Sequence, residues 1–239
     1  MGQWIKEDLF KNLPENTITI KKFLFIKLNK YKKMNISFVF KSELWIPRYT
    51  GIRVYSLNEF IDALKVVDRF SIFYHMFINI FNYHNLPTYY TNSLSYWFYK
   101  NGYPSLAEKI SAIDPLDYFD LEELRNALIN TLEKSNNNWY RKEKYPFYFI
   151  TAEREIIECG NIAQNLDEFI DGIRKSSINS IFYHLITSRI ENKTIVNDYS
   201  AWLYNVGEVK KAEKINKLDP YTMTLYEIKE KIVKILEGD

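Results

Sequence analysis

The chain has 239 residues, 46% of them hydrophobic and 17% aromatic, with only 7 Gly and 7 Pro, a balance that excludes a disordered or fibrous polypeptide and is ample for two cores. A single cysteine, Cys159, excludes an intramolecular disulfide and a cysteine-based zinc site, and it suits a reducing compartment. The formal net charge of +2 is unevenly spread: residues 1–33 hold eight Lys against three acids, so a basic arm precedes two near-neutral units.

The arm comes first in chain order. No long apolar stretch follows Met1 to Asp8, which argues against a secretory signal, and Lys6 stands where a myristoylation pattern needs Ser or Thr. Apolar runs along the chain fall far short of the ~20 residues of a membrane span, so a soluble cytoplasmic protein is expected. Lys21, Lys22, Lys27, Lys30, Lys32 and Lys33 alternate with Phe23, Phe25 and Tyr31, with no acid among them. Lysine interleaved with aromatics neutralises phosphates and stacks on bases, which makes these six the candidates for binding nucleic acid or a ribosome. A lysine-protected edge strand or a membrane-surface segment fits the same pattern.

Two units follow, residues 34–134 and 146–239, joined by an Asn-rich linker at 135–145. They read as tandem copies. Leu57 to His75 matches Leu166 to His184 at ten of nineteen positions with an offset of 109. Asn92 to Pro115 matches Asn197 to Pro220 at eleven of twenty-four positions with an offset of 105. The four-residue difference falls between Tyr83 and Asn92, as a loop-length change should.

Each unit opens on a β-branched and aromatic run, Ile36 to Phe40 and Phe147 to Thr151, with a second extended piece at Ile52 to Tyr55 and Cys159 to Ala163. Helices follow. Ser56 and Asn165 precede Glu59 and Glu168 at capping-box spacing, and apolar residues recur at i, i+3, i+4 behind them. A second helix carries Ser-Ile-Phe-Tyr-His. A third starts at Asn92 or Asn197 and stops at Gly102 or Gly207. A short fourth breaks before Asp-Pro, and a last begins behind Asp120 or Thr224. The expected fold class is α+β: mainly helical, a small β element per unit, two pseudo-symmetric repeats of about five helices each.

Ser71/His75 and Ser180/His184 each share a helix face, the spacing of a nucleophile and its base. A helix interior offers no amide pair for an oxyanion hole, so a packed histidine bonded to a carboxylate or backbone group is the favoured reading. Asp114 and Asp219, each before a proline, are turn residues that double as candidate partners for the histidine of the same unit. Trp97, Trp202, Tyr99 and Tyr204 are candidates for binding a ring-shaped ligand, against a core role for the tryptophans. Three His and one Cys in no ligand spacing, and no Gly-rich phosphate loop, lead to an expectation of no metal and no cofactor.

The series His184, Asn197-Asp198-Tyr199-Ser200-x-Trp202-Leu203, then Ala212 to Tyr221 and Thr224 to Ile228, resembles an uncharacterised domain family of archaea and bacteria whose function is unknown. The first copy departs from it: Ser93-Leu94 replaces Asp198-Tyr199, and Leu116 replaces Tyr221. The resemblance implies no activity, substrate or cofactor. The resulting expectation is a non-enzymatic binding or adaptor protein with a protein partner, self-association being open. The alternatives are an RNA-, ribosome- or DNA-associated factor using the basic arm, and a hydrolase-like enzyme centred on His184.

Overall fold

The computed structural model describes residues 37–81, 90–118, 120–135 and 141–238. It is mainly helical with one two-stranded antiparallel sheet, formed by β1 (Phe38–Val54) and β2 (Phe147–Ala163). Behind β1 come α1 (Leu57–Val66), α2 (Arg69–Phe81), α3 (Ser93–Lys100), α4 (Pro104–Ser111) and α5 (Leu121–Glu133). Behind β2 come α6 (Leu166–Lys175), α7 (Ile178–Phe182), a π-helical turn (Tyr183–Thr187) leading into α8 (Ser188–Glu191), then α9 (Asp198–Asn205), α10 (Val209–Asn216) and α11 (Leu225–Glu237). Lengths of 10, 8, 8 and 13 residues recur in α1 and α6, α3 and α9, α4 and α10, α5 and α11. Among the described residues no helix is long and apolar enough to cross a membrane.

Helix starts follow local chemistry. Asn92 and Asn197 accept from Ser95 N and Ser200 N at 2.8 and 2.9 Å. Thr224 and Glu227 close a full capping box. At Ser56 and Asn165 the box is shifted: Glu59 and Glu168 reach the amides of Tyr55 and Gln164, one residue earlier. Asp120 caps α5 through Glu122 N rather than through a box with Glu123.

The sheet departs from the sequence expectation of two short extended pieces per unit. Each pair of pieces is one continuous strand of 17 residues. The register runs Phe38 opposite Ala163, Trp45 opposite Arg154 and Val54 opposite Phe147, and it slips between Val39 and Lys41 and again between Tyr49 and Arg53. Gly51 and Gly160 lie in the extra residues of these bulges at φ +84° and +74°, the left-handed region that glycine enters without strain. A bulge bends a strand without ending it. The polar residues of the outer stretch, such as Glu153, Arg154, Glu155 and Glu158, hide the strand pattern.

The ribbon is exchanged between the two sets of helices. Phe38 and Phe40, at the start of β1, pack on Phe169 of α6, with ring centroids 5.0 and 5.9 Å away. Phe147 and Phe149, at the start of β2, pack on Phe60 of α1 at 5.2 and 5.3 Å. The buried apolar side chains of both halves form one continuous cluster. Gly172 sits inside α6 because a β-carbon there would lie 2.3 Å from the Phe40 ring. Arg125 of α5 is buried and donates to the carbonyls of Leu64 and Val67, tying the end of α1 to α5.

Candidate functional site

The two Ser–His faces meet backbone from the opposite half. Ser71 Oγ donates to the carbonyl of Ile150 at 2.8 Å, and the amide of Ile150 donates to His75 Nε2 at 2.9 Å. In the other half, Ser180 Oγ donates to the carbonyl of Lys41 at 2.6 Å, and the amide of Lys41 donates to His184 Nε2 at 2.8 Å. The N–H and C=O of one antiparallel residue point the same way, and side chains at i and i+4 on a helix stand about 5–6 Å apart. A helix carrying Ser and His four residues apart therefore pairs both groups of a single strand residue, as a neighbouring strand would. Among the described residues both strands of the ribbon are edges, and these clamps satisfy outward groups that would otherwise be orphaned.

The remaining ring nitrogen fixes the protonation state. With Nε2 accepting, Nδ1 carries the proton. His75 Nδ1 donates to Ser93 Oγ at 2.8 Å, and that hydroxyl donates on to the His75 carbonyl at 3.2 Å. His184 Nδ1 donates to Asp198 Oδ2 at 2.9 Å. Burial pushes His75 from its ordinary 6.5 down to about 3. Burial lowers His184 as well, with the Asp198 carboxylate acting against it. Both rings are neutral acceptors whose lone pair is spent on an amide, so neither has a nitrogen free to take a proton from its serine. The partner of His184 is Asp198, not Asp219, and that of His75 is Ser93, not Asp114. Asp114 and Asp219 accept instead from the amides of Leu116 and Tyr221, both at 2.8 Å, and so shape the Asp-Pro turns.

A second polar group lies at the centre of the ribbon. Glu43 of β1 is 1% exposed and accepts from Thr187 Oγ1 at 2.6 Å, with Arg154 of β2 3.6 Å away. Arg154 also reaches Glu191 at 3.3 Å and lies over the rings of Phe70 and Phe73. Tyr183 Oη donates to Glu191 at 3.0 Å. Burial raises Glu43 to about 7, against the opposing effects of Thr187 and Arg154. The positions equivalent to Glu43 and Arg154 at the 109 offset are Ala152 and Trp45, so this network exists once.

The aromatic candidates divide. Trp97 stacks on Phe60 at 4.9 Å and Trp202 on Phe169 at 4.3 Å, both buried, so neither offers a free face to a ligand. Trp97 Nε1 donates to the carbonyl of Tyr145 at 2.7 Å. Tyr99 is exposed and Tyr204 half-buried, and the structure does not bring them together with the histidines. The arm lysines Lys21, Lys22, Lys27, Lys30, Lys32 and Lys33 lie outside the described residues.

The model of a family of unknown function, DUF5752, matches residues 35–237. The chain belongs to that family. The DUF5752 span takes in both strands and both clamps. Among solved structures, OrfY from Thermoproteus tenax is similar at 28% identity with a TM-score of 0.74, over 84% of this chain and 94% of that one. No curated protein matches the chain.

Sequence reasoning missed several residues that this DUF5752 chain gathers. Glu43 and Arg154 carry no motif, and their meeting depends on strand register. Arg141, Lys142 and Lys144 fell in the expected linker. In the structure Glu143 N donates to the Tyr55 carbonyl at 2.6 Å, and Tyr145 N donates to Asn101 Oδ1 at 3.1 Å, so this stretch is bound to the first half. The alternation of basic and aromatic residues from Tyr140 to Tyr148 was the available signal.

Proposed function

We propose that this chain is a non-enzymatic binding protein built by tandem duplication of one strand-plus-helices unit, with the two copies exchanging strands. One observation carries the reading: each Ser–His face, the best catalytic candidate in the sequence, is spent on the amide and carbonyl of the other half's strand. The 109-residue spacing of the two clamps and of the two strands supports the duplication. With the histidines serving the fold, the exposed surface is where function resides, and a macromolecular partner is the expected ligand. The reading also includes a cytoplasmic protein, without a cofactor, that is free to self-associate.

A fluorophosphonate probe separates this from a hydrolase. Expected is no labelling of Ser71 or Ser180 in the folded protein, together with a fall in melting temperature for His75→Ala and His184→Ala alike. Labelling of Ser180 that disappears in His184→Ala, while the fold persists, would overturn the proposal.

A further inference from the structure

We infer that the end of the ribbon where β1 finishes and β2 starts is a binding surface for single-stranded nucleic acid, with exposed tyrosines stacking on bases and flanking cations neutralising phosphates. The inference rests on the binding-protein reading above and names its partner class.

The surface is built from side chains already held in place. Tyr49 and Tyr148 are 53% and 47% exposed, and their rings stand 6.0 Å apart across the two strands. Arg53 lies 4.9 Å from the Tyr55 ring and 6.0 Å from that of Tyr148, and Lys142 lies 5.1 Å from Tyr55. Lys144 and Lys100 lie 5.0 and 5.2 Å from the ring of Tyr145. Arg53, Lys100, Lys142 and Lys144 form no ion pair among the described residues. Among the described residues their charge is therefore uncancelled at short range, and Lys144, followed by Lys100, draws the Tyr145 hydroxyl below its ordinary value. Of the neighbouring acids, Glu143 is buried against Arg141 and Tyr103, while Glu59 accepts from the Tyr55 amide and keeps its charge.

The backbone beneath is fixed. The Tyr145 carbonyl accepts from Trp97 and from Asn101, and the Tyr145 amide donates back to Asn101. Cations laid on tyrosine rings have already lost rotamer freedom, which lowers the cost of ordering them around a ligand. Exposed tyrosine faces beside unpaired cations suit a polyanion whose bases are accessible, and a paired duplex hides its bases. An acidic peptide would use the cations and leave the rings unused. The opposite end of the ribbon does not repeat the surface: at the 109 offset Tyr49, Arg53 and Tyr55 become Glu158, Ile162 and Gln164, and at 105 Lys100 becomes Asn205.

The test is fluorescence anisotropy on the full-length chain with labelled 12-nucleotide oligo(U) and oligo(dT), a duplex of the same length, and unlabelled heparin and poly-glutamate as competitors. Both single strands are expected to bind more tightly than the duplex. With three to four phosphates neutralised at about 0.7 per phosphate, the log–log salt slope should be about −2 to −3. Tyr49→Ala/Tyr148→Ala should weaken binding by about tenfold or more, the loss of one or two stacked bases. Lys142→Gln/Lys144→Gln should make the slope shallower by about 1.4. Melting curves confirm that both variants fold. Equal binding of oligo(U) and oligo(dT) supports a surface reading bases and phosphates alone; a preference for one strengthens the assignment and selects RNA or DNA. Unchanged affinity in both variants, with binding lost when the six arm lysines are changed to Gln, would move the site to the arm and overturn this assignment. So would absence of oligonucleotide binding, or displacement by poly-glutamate with the tyrosine variant unaffected. None of those failures bears on the fluorophosphonate result, which decides the binding-protein reading separately.

Discussion

The two clamps agree in one bond and differ in the next. His75 and His184 both accept a strand amide on Nε2, from Ile150 and Lys41, and Ser71 and Ser180 both donate to the carbonyl of the same residue. On Nδ1 they diverge: His75 has a neutral serine, His184 a carboxylate. The half that holds the strand is thus what the fold requires, because a buried amide and carbonyl without partners cost about 1–3 kcal/mol each. The outer partner needs only to accept one proton, and Ser93 and Asp198 meet that need with different charge.

The largest test removes the shared bond. His75→Ala and His184→Ala each strand the amide of a half-buried strand residue and leave a ring-sized void, so each should lower unfolding free energy by about 3 kcal/mol, the sum of an unsatisfied group and a cavity. Urea denaturation measures it. Equal losses would confirm that Nε2 carries the clamp, whereas a much larger loss at His184 alone would assign the weight to Asp198. His75→Gln, which retains an acceptor, should recover part of the loss.

A smaller effect separates the helices beneath the strands. Gly172→Ala should cost about 1–3 kcal/mol, because its β-carbon has no room beside the Phe40 ring and the core must shift. The equivalent position in α1 is already Ala63, and it is buried without such a clash. A neutral Gly172→Ala variant would show that Phe40 moves freely and that the two strand seats are interchangeable.

Helices were legible in the sequence because their signals are local: caps at Asn92, Asn197 and Thr224, glycines after α3 and α9, and apolar spacing in α1 and α6. The Ser–His pairs were legible as helix neighbours, but not their ligand, since Lys41 and Ile150 lie 143 and 75 residues from the histidines they bind. Long-range backbone partners leave no local pattern. The strands run longer than the extended pieces expected at Ile52 to Tyr55 and Cys159 to Ala163 because polar residues between the pieces, such as Glu153 to Glu155, mask the strand pattern, and the bulges at Gly51 and Gly160 only bend the chain. Lys142, Lys144 and Tyr145 all lie in the stretch 135–145 expected to be a linker, and their meeting with Tyr55 and Lys100 depends on contacts distant in sequence.

The most discriminating test is pH. The folded His75 titrates near 3 while its ordinary value is 6.5, so below 6.5 the unfolded chain takes up a proton that the folded chain refuses. Its contribution to stability is full above 6.5 and is lost as pH falls from there toward 3. His184 is lowered in the same direction, but Asp198 favours the charged ring, so its acid-side loss is the milder of the two. Exchanging the partners should exchange the behaviour: Asp198→Ser steepens the fall in urea midpoint between pH 6.5 and 4.5, and Ser93→Asp flattens it. Glu43 runs the other way. Its carboxyl is raised to about 7 from 4.5, so the folded chain keeps a proton the unfolded chain gives up, and stability is full below 4.5 and declines as pH rises through 7. Glu43→Gln should remove that alkaline decline and leave the acid limb in place. If Glu43→Gln altered the acid limb instead, the two histidines would not be its source, and the contrast between Ser93 and Asp198 would have no consequence for stability.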